Sequence, residues 1–138
     1  MEKDFRVEKV CELVQGDRWF DLHNGYDFAG IRIGTAGTIT VAFRPNAELG
    51  EGRQPVALEL DEVDHLSLTL GRPDADPCSL VGDIGYIGPN EEWTGLIREE
   101  ETAAPEDHLF FTLGSEGLLR IHARRARLCS GPDVLPGS

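Results

Sequence analysis

Asp21, His23 and Asp27 lie close together in Trp19-Phe20-Asp21-Leu22-His23-Asn24-Gly25-Tyr26-Asp27, and carboxylates and imidazoles are groups that hold metals or move protons. A two-residue spacing on a strand puts Asp21 and His23 on one face. Zinc takes three or four N, O or S ligands converging from rigid elements, and His65, His108 and His122 are the further imidazoles. The chain has no HExxH, no His-x-His pair and no CxxC. The expectation is therefore no metal and no cofactor, with Asp21, His23 and His65 as the weak metal candidates. In the simpler reading, His23 bonds within a turn and His65 is an edge residue. Trp19, Asp21, His23, Asn24, Tyr26 and Asp27 together read as a binding surface, since interfaces combine aromatic anchors with a polar rim. Trp19 and Phe20 equally suit a core, where large aromatics are usually found.

Other chemistries have less support. Carboxylates for general acid and base work have to share a cleft that pushes their pKa values apart. Asp21 with Asp27, Asp61 with Asp64, and Glu91 with Glu92 are neighbours of a kind that arises by chance in an acidic chain. Gly30 to Gly37 is glycine-rich but matches neither GxGxxG nor a Walker A sequence, and a β-pattern follows it where a phosphate cradle needs a helix. Ser115 sits in a polar turn, one residue short of a GxSxG frame. Cys11, Cys78 and Cys129 are far apart and read as reduced structural thiols. Arg120, Arg124, Arg125 and Arg127 concentrate positive charge in an acidic chain. Guanidinium forks suit anion recognition, whereas the structural reading pairs them with Glu99 to Glu101 or makes them guards of an edge strand.

The elements that would position these residues are mostly strands. Phe5, Val10, Leu13 and Val14 recur at helical spacing, with Asp4 as N-cap and Gly16 as stop, so a short helix is expected over Phe5 to Gln15. Period two then takes over. Phe28 to Ile33 and Thr38 to Arg44 flank a glycine-rich turn as a hairpin. Val56, Leu58 and Leu60 alternate, as do Leu66, Leu68 and Leu70 after an acidic corner at Asp61, Glu62 and Asp64, and Gly71 to Pro77 ends that pair as a loop. Leu80 to Ile87 reads as a strand and Gly88-Pro89-Asn90 as a turn, while Trp93 to Arg98 fits either a strand or a helical turn. Glu99 to Pro105 is expected as a solvated acidic loop. His108 to Leu113 and Leu118 to Ala126 flank Gly114 to Gly117 as a second hairpin, with Leu119, Ile121 and Ala123 inward and Arg120, His122 and Arg124 outward. The fold class is thus mainly β (α+β): an antiparallel sandwich, curled sheet or small barrel with one short N-terminal helix. Residues 1–129 form one domain and 130–138 a loose tail.

The chain carries 13 Lys+Arg against 25 Asp+Glu, a formal charge of −12. A field of that sign repels a phosphate backbone, which argues against nucleic acid, and favours solubility or encounter with a basic protein partner. Met1 to Lys9 is mostly charged, without the apolar run of a signal peptide, and no stretch is long enough to span a bilayer. A cytoplasmic protein with no membrane partner is expected.

Trp19 to Gly25, then Ile31, Ile33, Ile39, Val41, Phe43, and Val56 to Leu70 resemble small bacterial proteins that begin a β-sheet with a Phe-His-Asp type segment, among them immunity proteins of polymorphic toxin systems. The resemblance covers the first half of the chain, and Leu22-His23-Asn24 stands where such proteins have Phe-His-Asp. It implies a non-catalytic protein that binds and neutralises a partner, and it carries over no catalytic residue. The leading reading is accordingly a non-catalytic cytosolic binding protein, in its sharper form an immunity-like inhibitor of a basic protein. One alternative is a small-ligand-binding or metal-assisted enzyme with its site around Asp21, His23 and Asp27. Another is a structural scaffold subunit.

Overall fold

Alternating apolar residues make most of this chain into strands: 57% of the described residues are in strands and 8% are helical, so the protein is mainly β. The computed structural model describes residues 1–34, 36–50, 52–70 and 80–135. The expected loop from Gly71 to Pro77, and Cys78, lie outside the described residues.

The elements run β1 (Glu2–Lys3), β2 (Arg6–Glu8), β3 (Glu12–Gln15), β4 (Arg18–Asp21), α1 (Leu22–Gly25), β5 (Tyr26–Ile33), β6 (Ile39–Pro45), β7 (Val56–Thr69), β8 (Val81–Ile87), β9 (His108–Leu113) and β10 (Gly117–Ser130). Strands β5-β6-β7-β10-β9-β8 make one antiparallel sheet in that order, to which β1 adds in parallel beside β10. The sheet curls into a half-barrel. A bridge between Asp27 and Leu80 brings its two ends together. The inner face carries the core, where Val41, Phe43, Leu58, Ile84, Phe111 and Ile121 are fully buried. Each such side chain contributes about 1.5–3 kcal/mol of hydrophobic stabilisation.

Both expected hairpins are present, as β5–β6 and β9–β10. The expected helix over Phe5 to Gln15 is not. That stretch is the hairpin β2–β3, extended by β4 into a small three-stranded sheet. The turn between β2 and β3 is Lys9-Val10, both at positive φ (53° and 51°), closed by the Cys11 amide donating to the Glu8 carbonyl at 3.1 Å. Two positive-φ residues make a primed hairpin turn, normally the place of Asn and Gly. Val7, Leu13 and Phe20 are paired across the three strands and pack against the common core. Asp4, expected as an N-cap, instead accepts the Leu128 amide at 2.9 Å. Among the described residues the short α-helix is α1, capped by the carboxylate of Asp21.

The acidic corner at Asp61, Glu62 and Asp64 does not turn the chain, because β7 continues through it. Glu62 takes a positive φ of 53°. The register against β10 slips there, His65 facing His122 and Val63 facing Ala123, so Asp64 is the extra residue of a β-bulge.

The segment from Gly88 to Arg98 is neither strand nor helix but a strap. It leaves β8 through a turn closed by Glu91 and Gly88, and returns to β8 where Arg98 and Tyr86 exchange backbone hydrogen bonds of 2.8 and 3.0 Å. Ile97 crosses directly over Gly85, where any Cβ would collide with it. Trp93 stacks on Phe110, ring centroids 4.6 Å apart. The strap therefore buries the outer side of β9, which explains why Leu109, Phe110 and Phe111 are consecutive and all buried.

Candidate functional site

Most of the block from Trp19 to Asp27 holds the fold together. Asp21 accepts the Asn24 amide at 3.2 Å and its side-chain NH2 at 2.8 Å, which fixes α1. His23 lies on that helix with Nδ1 3.1 Å from the Gly82 carbonyl of β8, so it fastens one end of the half-barrel to the other. Tyr26 is buried and donates its hydroxyl to the Gln54 carbonyl at 2.7 Å. Asp27 accepts from the Asn46 side chain at 3.0 and 3.2 Å. His65 sits on β7, separated from β8 by β10 and β9, so the three weak metal candidates are not brought together. Among the described residues no three His, Cys, Asp or Glu side chains are arranged to hold a metal ion.

Trp19 behaves differently. It is 61% exposed, because alternation turns Phe20 into the core and Trp19 away from it. The reading of Trp19 as a core residue is corrected here, while half-buried Phe20 does pack on the core. The register aligns Arg6, Val14 and Trp19 in one cross-strand row and Glu8, Glu12 and Asp21 in the next. Positions two apart share a face, so the outer side of the small sheet carries a row of three carboxylates beside an exposed tryptophan. Trp19, Val14, Glu12 and Lys9 line an open depression of about 340 Å³. Like charges directly opposite one another in a sheet are destabilising. Arg6 at 3.3 Å from Glu8 and the Asn24 contact of Asp21 partly offset this. The signal for this face lay in Glu8 and Glu12 as well as in Asp21, and it is readable only once β2 and β3 are known to pair.

A second polar cluster lies on the outer face of the main sheet. His65, His122 and His108 come from β7, β10 and β9, which are adjacent strands. The His65 and His108 rings are 4.6 Å apart and those of His108 and His122 are 5.2 Å apart. His122 lies between two acceptors, the Asp64 carboxylate at 2.7 Å from Nδ1 and the Pro105 carbonyl at 3.2 Å from Nε2. Both contacts are hydrogen bonds only when both nitrogens carry protons. The contact with His122 holds the Asp64 carboxyl below its ordinary value. His108 is buried, and its Nδ1 accepts from Arg120 Nε at 2.8 Å. Burial first, then the positive charge of Arg120, pushes its pKa down to about 4.

The four arginines are engaged within the chain. Arg124 meets Glu62 at 3.0 Å, Arg125 meets Glu2 at 3.2 Å and Arg127 meets Glu59 at 2.7 Å, while Arg120 binds His108 and strap carbonyls. For Arg124, Arg125 and Arg127 this is the charge-pair reading with different partners from those expected, and β10 is an interior strand rather than an edge. The acidic loop is corrected as well. Glu100 is half-buried rather than solvated, accepting the Val7 amide at 2.8 Å, the Tyr86 hydroxyl at 2.7 Å and Lys3 Nζ at 2.9 Å. Burial raises its pKa, yet these three donors outweigh that and hold it below the ordinary glutamate value. Cys11 belongs to the β2–β3 turn, not to a helix, and burial pushes both its thiol and that of Cys129 up, away from the reactive thiolate.

Among the described residues no helix is long and apolar enough to cross a membrane. Compared with known proteins, the chain matches no family, no curated protein and no solved structure.

Proposed function

We propose that the protein is a non-catalytic binding protein that recognises a basic protein partner through the outer face of β2-β3-β4, in the manner of an immunity-like inhibitor. The observation that carries this reading is Trp19, 61% exposed beside the Glu8, Glu12 and Asp21 row. An exposed tryptophan is the side chain most often found as an interface anchor. The carboxylates around it, with the overall charge of −12, supply the complementary field that speeds encounter with a basic surface. The competing enzyme reading loses support because Asp21, His23 and Asp27 are each committed to a fold-holding hydrogen bond.

The test is affinity capture from the source cell with wild type, Trp19→Ala and Glu12→Lys as baits, at low and moderate salt, with the captured protein identified and its charge read from its sequence. A basic protein held by wild type, weakened roughly tenfold or more by either substitution and weakened by salt, is the expected result. Capture of an acidic protein, or binding indifferent to salt and to both substitutions, overturns the proposal.

A further inference from the structure

Arg120 fastens the strap. Its guanidinium donates to the carbonyls of Glu91 at 2.7 Å, Gly88 at 2.7 Å and Pro89 at 3.0 Å. Its fourth bond, from Nε to His108 Nδ1 at 2.8 Å, aims the fork at those three oxygens. An imidazole nitrogen accepts only while it carries no proton. His108 is thus the one partner of Arg120 whose role is reversed by acid, since carbonyl oxygens do not titrate.

The surroundings of His108 are largely cationic or potentially so. From β10 it faces Arg120 and His122, and from β7 it faces His65 and, further off, the carboxylate of Asp64. On its own segment the neighbouring Asp107 is already neutralised by the two-pronged grip of Arg98 at 3.1 Å, and the strap's Glu91 is held by the same arginine at 2.8 Å. No carboxylate makes a direct bond to the His108 ring among the described residues.

We propose that His108 is an acid-operated release for the strap from Gly88 to Arg98. The neutral ring orients Arg120, and the oriented fork holds the strap down over β9. A proton taken from solvent onto Nδ1 sets donor against donor and charge against charge at one contact. Arg120 then swings away, its three carbonyl bonds are lost, and Trp93 lifts from Phe110. Burial beside Arg120 places the event at the acid end of the histidine range, with the ring's pKa at about 4.

Trp93 reports the event directly. The chain has two tryptophans, so Trp19→Phe leaves Trp93 as the only one. In that background Trp93 emission should shift to longer wavelength as pH falls through about 4, while far-UV circular dichroism keeps the strand signature. His108→Asn keeps an oxygen acceptor near the position of Nδ1 and does not titrate, so it should remove the shift from that window. Emission that stays fixed until the strands themselves unfold, or a shift unchanged in His108→Asn, overturns the proposal. If His108→Asn does not fold, an NMR titration of the wild type decides: strap amides should move with the midpoint of the His108 ring, and amides that stay put while the ring titrates overturn it equally.

Discussion

His23 Nδ1 lies 3.1 Å from the carbonyl oxygen of Gly82, joining the helix that precedes the first strand of the half-barrel to the last strand of the same sheet. Around that contact the outer edge of β8 is taken up in turn. Ile84 donates its amide to the Val10 carbonyl at 2.8 Å, and Tyr86 pairs with Arg98. An edge strand that is left open is a template for pairing with another chain, and here His23, Val10 and Arg98 occupy it.

His23→Ala removes one partly solvated hydrogen bond and should cost about 0.5–1.5 kcal/mol, measured by urea unfolding. Amide exchange at Ile84 should accelerate because the edge is less firmly held. Metal content should be the same in wild type and variant, and stoichiometric zinc lost on substitution would reassign His23 as a ligand.

Glu100→Gln should be more damaging. Glutamine can still accept from Val7 and Tyr86 through its oxygen, but its NH2 then faces the Lys3 ammonium where Glu100 accepts at 2.9 Å. Breaking a fully buried charge pair by changing one partner costs about 3–5 kcal/mol, and the partial burial of this pair with retention of two hydrogen bonds should leave the loss near 1–3 kcal/mol. Since Glu100 ties β1, β2 and β8 together, the unfolding midpoint should fall without loss of cooperativity.

Stability should decline in two phases as pH falls. His108 titrates at about 4 in the folded protein against an ordinary 6.5, so the folded state favours the neutral ring. Its contribution, of the order of 3 kcal/mol, is complete above about pH 6.5 and is lost as pH drops toward 4. Below that, Glu100, Asp107 and Asp64 come into play. Each carboxyl lies below its ordinary value, so each stabilises above the ordinary carboxylate range and the benefit disappears as pH falls through the lowered values. Urea midpoints measured across pH should show a shallow fall followed by a steep one, and a profile flat from neutral to the carboxylate range would refute the His108 assignment.

The hairpins β5–β6 and β9–β10 were legible because alternation and glycine turns agree there. The β2–β3 hairpin was not, since Lys9-Val10 carries none of the residues such a turn prefers. Val7 was the missed signal: with Phe5 it keeps period two, which the helical reading of Phe5, Val10, Leu13 and Val14 passes over. That error also hid the candidate site, because Trp19 is aligned with Val14, and Asp21 with Glu12 and Glu8, only through the register of these strands. The histidine cluster was illegible for a related reason. His65, His108 and His122 are far apart in sequence, and a bulge at Asp64 that reads as a turn sets which of them meet. Partial burial of Glu100 inside an acidic run has no local signature at all, since its three donors come from β1, β2 and β8.

The residues ahead of β5 are anchored to much later parts of the chain, several of them to its far end. The Met1 amino group reaches the Pro105 carbonyl at 2.7 Å, Asp4 takes the Leu128 amide, Gln15 bonds the Leu128 carbonyl at 3.1 Å, and Arg18 bonds Ser130. Contacts of such long sequence separation are closed late and slowly. On the ribosome, the first twenty-odd residues emerge before the later strands they dock against, so the apolar face made by Val7, Leu13 and Phe20 lacks part of its cover until those strands have been synthesised. The nascent chain is therefore most exposed to misassociation during translation of its middle strands.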